Sequence, residues 1–353
     1  SQWKVPAMLP VAAVTGAYGV SFLLVFANCA LAQAAVTLLR QHRDRHAAGR
    51  PLPFNPAASL CPELALTLAL LALSLGVYAS GQRPQTEREP LFEAAVVQPW
   101  RPPLVETNAS DNQRALERLA ELTVAAAAEP PPDVVVWPEG ATPYAMISRH
   151  NRQQLDWIET LADYIDTPLL QGNVVFPPEG RWENGLYLVE PGRGLHEARY
   201  LKRHLVPFGE YTPWPWLLGW LGKVIPHIGN ARPGEAATLI PVTTRNGETV
   251  AVGALICYED VFPDLGRSVA QAGAEAVVVV TDDAWYGTGG GAYQHAAHSV
   301  LRAVEMRRPV LRCGNHGWSG WIDESGNVRG VLTDEQGSIY TRATARFHLS
   351  RDP

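Results

Sequence analysis

Three segments of the chain stop an apolar run on a side chain that can do chemistry. In DVVVWPEGATPY the run ends at Pro138 and presents Glu139; YLKRHLVPFGEYTPW carries Lys202 and Glu210; in VAVGALICYEDVFP, Cys257 closes the run before a polar turn. An acid, a base and a thiol at successive strand ends can converge on one edge of a sheet, where open α/β folds build their sites. A thiol attacks as thiolate, so Cys257 needs a proton acceptor or a positive charge nearby. Glu139 is the candidate for the first and Lys202 for the second. In acyl transfer the carbonyl oxygen becomes negative, and a fixed ammonium with a backbone N–H suits that charge; Lys202 and the Tyr258 amide are the candidates. Taken singly, a cysteine after a strand is usually core and a glutamate there a cap or surface residue. The set of three carries the reading.

Other candidates are weaker. Cys29, Cys61 and Cys313 are scattered, form no CxxC pair, and read as structural. His295 and His298 lie three apart on a helix without a third ligand nearby, so packed or solvent-facing histidines are expected rather than a metal site. The glycines from Gly287 to Gly291 lack the Lys-Ser/Thr of a phosphate loop. No metal and no organic cofactor is implied. With 29 basic and 35 acidic residues and no concentrated basic surface, the chain is a poor partner for nucleic acid.

The elements that must position these residues follow from the apolar patterning. A chain of 353 residues can bury one large core with an appended segment. Strands are expected at Ala94–Gln98, Asp133–Trp137, Leu169–Phe176, Val250–Ile256, Ala276–Thr281 and Val310–Cys313. Ala115, Leu116, Leu119, Leu122 and Ala126 fall on one helical face, as do Tyr293, Ala296, Ala297, Val300 and Val304. The alternation predicts an α/β domain over residues 90–348, helices covering a sheet.

Ahead of it, residues 1–82 read as a membrane segment. Val5 to Leu39 carries no charge and Leu64 to Ala79 is a second apolar run, giving transmembrane helices at about 5–39 and 62–80. Between them Arg40, Arg43, Arg45 and Arg50 outweigh the single acid Asp44, which places that loop in the cytoplasm and all that follows Ala79 across the membrane. The chain begins at Ser1, without a basic leader, and reads as an excised segment with upstream sequence missing.

The PEG motif with its upstream strand, LKRHLVPFGEYTP, ICYEDVFP, and DDAWYG followed by RAVEMRRPVLR resemble successive blocks of the nitrilase superfamily, in the wording of its apolipoprotein N-acyltransferase branch. The likeness runs from about Ala94 to Leu332 and includes the GAYGVSFLLVFAN helix. It implies a nitrilase-like αββα sandwich preceded by membrane helices, and a Glu-Lys-Cys triad carried by Glu139, Lys202 and Cys257. Glu210, Tyr258, Glu259 and Trp285 match supporting positions of the family.

The implied reaction moves an acyl chain from a phospholipid donor, through a Cys257 thioester, to the α-amino group of a diacylglyceryl-cysteine lipoprotein acceptor. The implied location is the bacterial inner membrane, multi-pass, with the catalytic domain periplasmic. The competing readings are a membrane-tethered amidase using the same triad with water, and a non-catalytic scaffold, which would have lost triad members. TPWPWLLGWLGKVIP, with Trp214, Trp216 and Trp220, reads either as packing or as a lid at the membrane interface. Two blocks depart from the family wording: Asp282-Asp283 replaces Asn-Asp, adding a charge near the site, and Asn315-His316-Gly317-Trp318-Ser319 replaces Asn-Thr-Gly-Ile-Ser.

Overall fold

The structure is a computed structural model that describes residues 4–47, 62–82, 87–101, 108–149, 151–220 and 229–352. It divides into two units, Ser1–Arg83 and Pro84–Pro353.

The first unit holds helices α1 (Leu9–Ala47), broken by a non-helical residue at Gly16, and α2 (Pro62–Ser80). Both are long and apolar enough to cross a membrane. Their large side chains are turned outward, with Tyr18, Phe22 and Leu73 all more than half exposed, an arrangement suited to lipid and costly in water. Polar side chains bond to their own helix: Thr15 Oγ1 donates to the Val11 carbonyl at 2.7 Å and Asn28 Nδ2 to that of Leu24 at 2.8 Å. The first helix runs past the expected Leu39 to Ala47, so Arg40, Arg43 and Arg45 lie on helix rather than in a loop. Charge ends the apolar run, but Arg and Gln are good helix formers and do not end the helix. Arg50 and Cys61 lie outside the described residues.

In the second unit the strands are β1 (Glu89–Gln98), β2 (Val134–Trp137), β3 (Ile147–Ser148), β4 (Leu169–Phe176), β5 (Glu183–Glu190), β6 (Gly194–Leu201), β7 (Ile240–Thr243), β8 (Thr249–Ile256), β9 (Ala276–Thr281), β10 (Val310–Gly314), β11 (Gly320–Ile322), β12 (Val328–Val331) and β13 (Ala343–Arg351). One sheet has the order β13-β1-β2-β4-β5-β6, with β3 beside β4; the other is β12-β11-β10-β9-β8-β7. β1, β2 and β4 are mutually parallel, as are β8, β9 and β10.

The helices are α3 (Ala109–Ala126), α4 (Gln153–Ile165), the single turn α5 (Pro215–Leu218), α6 (Pro263–Gln271) and α7 (Gly291–Met306). Strand parity assigns the layers. Ala94, Val96, Val134 and Val136 face the opposite sheet and meet Ala254, Ile256, Val278 and Val280. Ala95, Val97, Val135 and Trp137 face outward onto Leu119 of α3 and Leu155 and Ile158 of α4. A strand buried on both faces has no polar alternation, which is why these segments read as unbroken apolar runs. Helices α6 and α7 pack on the second sheet, completing the αββα sandwich that the motifs implied. On α7 the expected face is buried except Tyr293, which is exposed at the first turn.

Candidate active site

The side chains singled out in the sequence sit at the carboxyl ends of strands in both sheets. Glu139 follows β2, Lys202 follows β6, Cys257 follows β8 and Asp282 follows β9. They line one cavity of about 800 Å³ together with Arg101, Trp182, Asn184, Glu210, Tyr258 and Trp285. A groove of similar size, about 810 Å³, lies beside α3 and α4, but neither a cysteine nor a lysine lines it.

Lys202 is almost fully buried and its Nζ donates to Glu139 Oε1 at 3.1 Å and Glu210 Oε1 at 2.9 Å. Burial opposes its charge, yet Glu139, the Cys257 sulfur and Glu210 hold its pKa well above the ordinary lysine value. Burial likewise pushes Glu139 up, but the Lys202 charge and hydrogen bonds from Asn184, Lys202 and Cys257 outweigh it and hold the carboxyl below its usual value. The Cys257 thiol is driven far up by burial and then by the Glu139 charge, against the pull of Lys202 and a hydrogen bond with Thr281. The resting pair is thus a carboxylate and a neutral thiol in hydrogen-bond reach, a geometry in which the proton leaves sulfur as sulfur attacks.

Backbone shape sets the thiol at the cavity wall. Cys257 has φ +55°, a left-handed conformation that side chains rarely adopt, and opens a 3-10 turn at Cys257–Val261. Two residues on, the fully buried Glu259 staples that turn to the other sheet. Its Oε1 accepts from Arg203 N at 2.7 Å and His204 N at 2.9 Å, and its Oε2 from Ile256 N at 2.8 Å and Tyr200 Oη at 2.9 Å. One carboxylate therefore fixes both the residue before Cys257 and the two after Lys202. Tyr258 donates its hydroxyl to the Leu205 carbonyl at 2.7 Å and lays its ring 5.8 Å from Lys202 Nζ. Trp285 stands exposed on the cavity rim.

Several participants carried no recognised signal. Asn184 Nδ2 donates to Glu139 Oε1 at 2.8 Å and Glu210 Oε1 at 3.0 Å, holding two like charges around one lysine. Asn184-Gly185 looks like a hairpin turn in sequence, but lies inside β5, where Gly185 leaves room for the Tyr187 ring. Behind Cys257 and Asp282, the buried Asp260 and Asp283 bracket His295 at 3.1 and 2.7 Å, and Arg312 pairs with both acids. Burial and Arg312 oppose the imidazolium, yet the two carboxylates raise His295 to about 9. His295 is thus an ion-pair partner, and this buried cluster ties the Cys257 turn to the Asp282 turn. Cys313 lies between the sheets, its thiol donating to the Val136 carbonyl at 3.4 Å, a structural residue as expected.

The segment after Glu210 leaves and returns at one point: Gly229 N donates to the Gly209 carbonyl at 2.7 Å and Ala231 N to that of Glu210 at 2.8 Å. Its described part exposes Trp214, Trp216 and Trp220. The remainder of the expected lid, 221–226, lies outside the described residues.

Among solved structures, an amidase from Nesterenkonia sp. AN1, carrying a covalent adduct at its active-site cysteine, superposes with TM-score 0.53 at 18% identity, covering 76% of this chain and 93% of the amidase. A Saccharomyces cerevisiae member of branch 10 of the nitrilase superfamily gives TM-score 0.51 at 18% identity, over 76% of this chain and 93% of its own. These likenesses establish the fold. In sequence, the chain is 32% identical over 334 residues to the apolipoprotein N-acyltransferase of Geobacter metallireducens, covering 94% of this chain and 60% of that protein. It is 34% identical over 350 residues to that of Brucella melitensis, with 93% and 58% covered. The chain therefore spans about three-fifths of the length of these curated relatives. The profile of the carbon-nitrogen hydrolase family matches residues 93–345. With the sandwich and most of the second unit inside that match, the chain belongs to the carbon-nitrogen hydrolase family.

Proposed function

We propose that the chain is the acyl-transferring part of an apolipoprotein N-acyltransferase, in which Cys257 is the nucleophile, Glu139 the base and Lys202 the charge stabiliser. The observation that carries the reading is the meeting of these three side chains in one cavity, in a chain whose likeness to apolipoprotein N-acyltransferases runs over 94% of its length and so takes in the helical unit.

In the first half-reaction Cys257 attacks an ester carbonyl of a phospholipid while its proton passes to Glu139 and on to the departing lysophospholipid oxygen. Lys202 and the Tyr258 amide hold the oxyanion. The thioester then passes its acyl group to the α-amino group of a diacylglyceryl-cysteine lipoprotein, regenerating the thiol. Glu210 and Asn184 keep Lys202 and Glu139 in register, and Trp285 lines the path of the acyl chain. A cavity of about 800 Å³ bounded by tryptophans suits an acyl chain better than a small amide.

The helices anchor this chemistry to the lipid. Arg40, Arg43 and Arg45 at the end of α1 favour a cytoplasmic position for that end, which supports a periplasmic position for residues 90–348 at the bacterial inner membrane. Trp214, Trp216 and Trp220 then meet the interface, where indole is favoured.

The test is intact-mass analysis of the full chain after incubation with phosphatidylethanolamine vesicles. The expected result is an acyl adduct that maps to Cys257, is absent from Cys257→Ala, and is discharged by a diacylglyceryl-cysteinyl peptide to give its N-acyl product. A folded, lipid-embedded chain that forms no adduct, or that releases only free fatty acid in the presence of the peptide, overturns the reading.

A further inference from the structure

In both half-reactions the Cys257 sulfur carries negative charge at the transition state, once as it attacks the phospholipid ester and once as it leaves the thioester. The groups assigned above do not serve that charge. Glu139 takes the proton. Lys202, whose Nζ donates to Glu139 Oε1 and Glu210 Oε1, acts with the Tyr258 amide on the carbonyl oxygen. Burial and the charges of Glu139 and Asp283 all oppose a thiolate.

We propose that the Thr281 hydroxyl is a further catalytic group, turning from Asp283 to the Cys257 sulfur as that sulfur becomes charged. The inference rests on the acyl-transfer reading and assigns the nucleophile side of that site. Thr281 is the last residue of β9 and is fully buried. Strands β8 and β9 run parallel with Ile256 opposite Val280, so the next residues, Cys257 and Thr281, are neighbours at the strand ends. Their side chains are hydrogen-bonded. On its other side Thr281 Oγ1 donates to Asp283 Oδ1 at 3.0 Å.

The two contacts compete for one hydrogen, because a threonine hydroxyl has a single proton to donate. In the resting site the sulfur is a neutral thiol and a weak acceptor. Burial pushes Asp283 up, but Arg312 and His295 outweigh it and keep the group a carboxylate, the stronger acceptor of the two. The hydroxyl therefore points to Asp283. A charged sulfur reverses the preference, and Asp283 can let the hydroxyl go. Its Oδ1 still takes His295 Nδ1 at 2.7 Å, and its Oδ2 takes Arg312 Nη2 at 3.3 Å. The turn is a rotation about one C–O bond and leaves the oxygen where it is. A hydrogen bond made only to the charged sulfur lowers the barrier without stabilising the resting enzyme. The buried ion-pair cluster thereby gains a part in the chemistry, keeping Asp283 satisfied while Thr281 is turned away.

The hydroxyl proton is never transferred. In acylation the C–S bond forms, and the thiol proton passes to Glu139 and on to the departing lysophospholipid oxygen. In aminolysis the neutral amine attacks, the C–N bond forms and the C–S bond breaks, and Glu139 carries the proton from nitrogen to the departing sulfur. Thr281 then turns back to Asp283.

A hydrogen bond to a fully charged group is worth about 10- to 150-fold in rate. With roughly half of the charge on sulfur at the transition state, loss of the hydroxyl should slow each step about 4- to 12-fold. Thr281→Val keeps the side chain's shape and removes the hydroxyl, whereas Thr281→Ser keeps the hydroxyl and loses the methyl. In the full chain in phosphatidylethanolamine vesicles, acylation is followed as adduct growth on Cys257. Aminolysis is followed as adduct decay after adding a dipalmitoylglyceryl-cysteinyl peptide, and reactivity without any acyl donor as alkylation of Cys257 by iodoacetamide. The expected result is that Thr281→Val slows all three by that factor with the peptide KM unchanged, while Thr281→Ser stays within twofold of wild type. Rates within twofold of wild type in Thr281→Val overturn the inference. So does Thr281→Ser as slow as Thr281→Val, which marks a packing role for the methyl. Should Thr281→Val not melt as the wild type does, Thr281→Ala takes its place under the same limits. A wild type that is alkylated but forms no phospholipid adduct overturns the acyl-transfer reading alone, and the alkylation rates still decide the role of Thr281.

Discussion

Gly172 is not among the residues that line the cavity, yet Gly172→Ala should disable the site. It lies on β4 beside the turn that presents Glu139, and a Cβ built on it falls 2.7 Å from Glu139 Cα, 2.7 Å from the Pro138 carbonyl oxygen and 2.9 Å from Glu139 N. All three neighbours are backbone atoms, so no rotamer change relieves the contact. Restoring ordinary van der Waals separation requires the Glu139 backbone to retreat by about 0.7 Å. That movement pulls Glu139 Oε1 from its bonds of 3.1 Å with Lys202 and 2.8 Å with Asn184 and away from Cys257. Misplacement near 1 Å costs on the order of 100-fold in rate, so Gly172→Ala should slow Cys257 acylation by about 10- to 100-fold. Overpacking should cost about 1–3 kcal/mol of stability, partly offset by the lower unfolded-state entropy of alanine. Acylation is read by intact mass and stability by thermal melting of the full chain in vesicles. Gly289→Ala is the control, because a Cβ there meets nothing within 4 Å. Wild-type acylation by Gly172→Ala, or an equal loss in Gly289→Ala, refutes the reasoning.

Two further outcomes follow from the charges. Glu139 is held below its ordinary pKa chiefly by Lys202, so wild-type acylation should stay level as pH falls from 7 to 5; Lys202→Met should move the acid limb of the surviving activity upward, measured as adduct growth against pH. His295 is raised to about 9, so the stability of its ion pairs is fully present below about pH 6.5 and is lost as pH rises through 9. Denaturation of the wild type should therefore become easier by up to about 3 kcal/mol across that window, and the slope should vanish in His295→Gln.

The sequence made the central strands legible for a physical reason. Segments such as Val134–Trp137 and Ala276–Thr281 are buried on both faces, and their uninterrupted apolar character sets them apart from any surface element. Two neighbouring strands were not legible, for different reasons: β6, GLHEARYL, has a partly exposed face and alternates weakly, whereas β5 is buried along nearly its whole length but begins with Glu-Asn-Gly, a string that favours turns in isolation. The site divides in the same way. Glu139, Lys202 and Cys257 announce themselves as reactive side chains at the ends of apolar runs. Asn184, Gly172 and the Asp260–His295–Asp283–Arg312 cluster matter through contacts 12 to 52 residues apart in sequence, and no local pattern encodes them.

What those long-range contacts do is hold two sheets in register at the seam where the site lies. Glu139, Asn184 and Lys202 belong to one sheet and Cys257 and Asp282 to the other, so nothing in either sheet's own hydrogen-bond ladder fixes the distance from base to nucleophile. The apolar layer between the sheets is non-directional and would tolerate small slides. Direction comes from polar bonds that cross the seam: Glu259 to Arg203 and His204, Asp282 N to Glu139, and Trp100 N to the Asn315 carbonyl at 3.0 Å. Each is buried or half-buried, and breaking one leaves an unpaired group costing about 1–3 kcal/mol, enough to penalise a slide that the core alone would permit. The buried charges around Cys257 therefore serve alignment as much as reactivity, and the carboxylate that follows the nucleophile by two residues is the one that joins the thiol's turn to the lysine's.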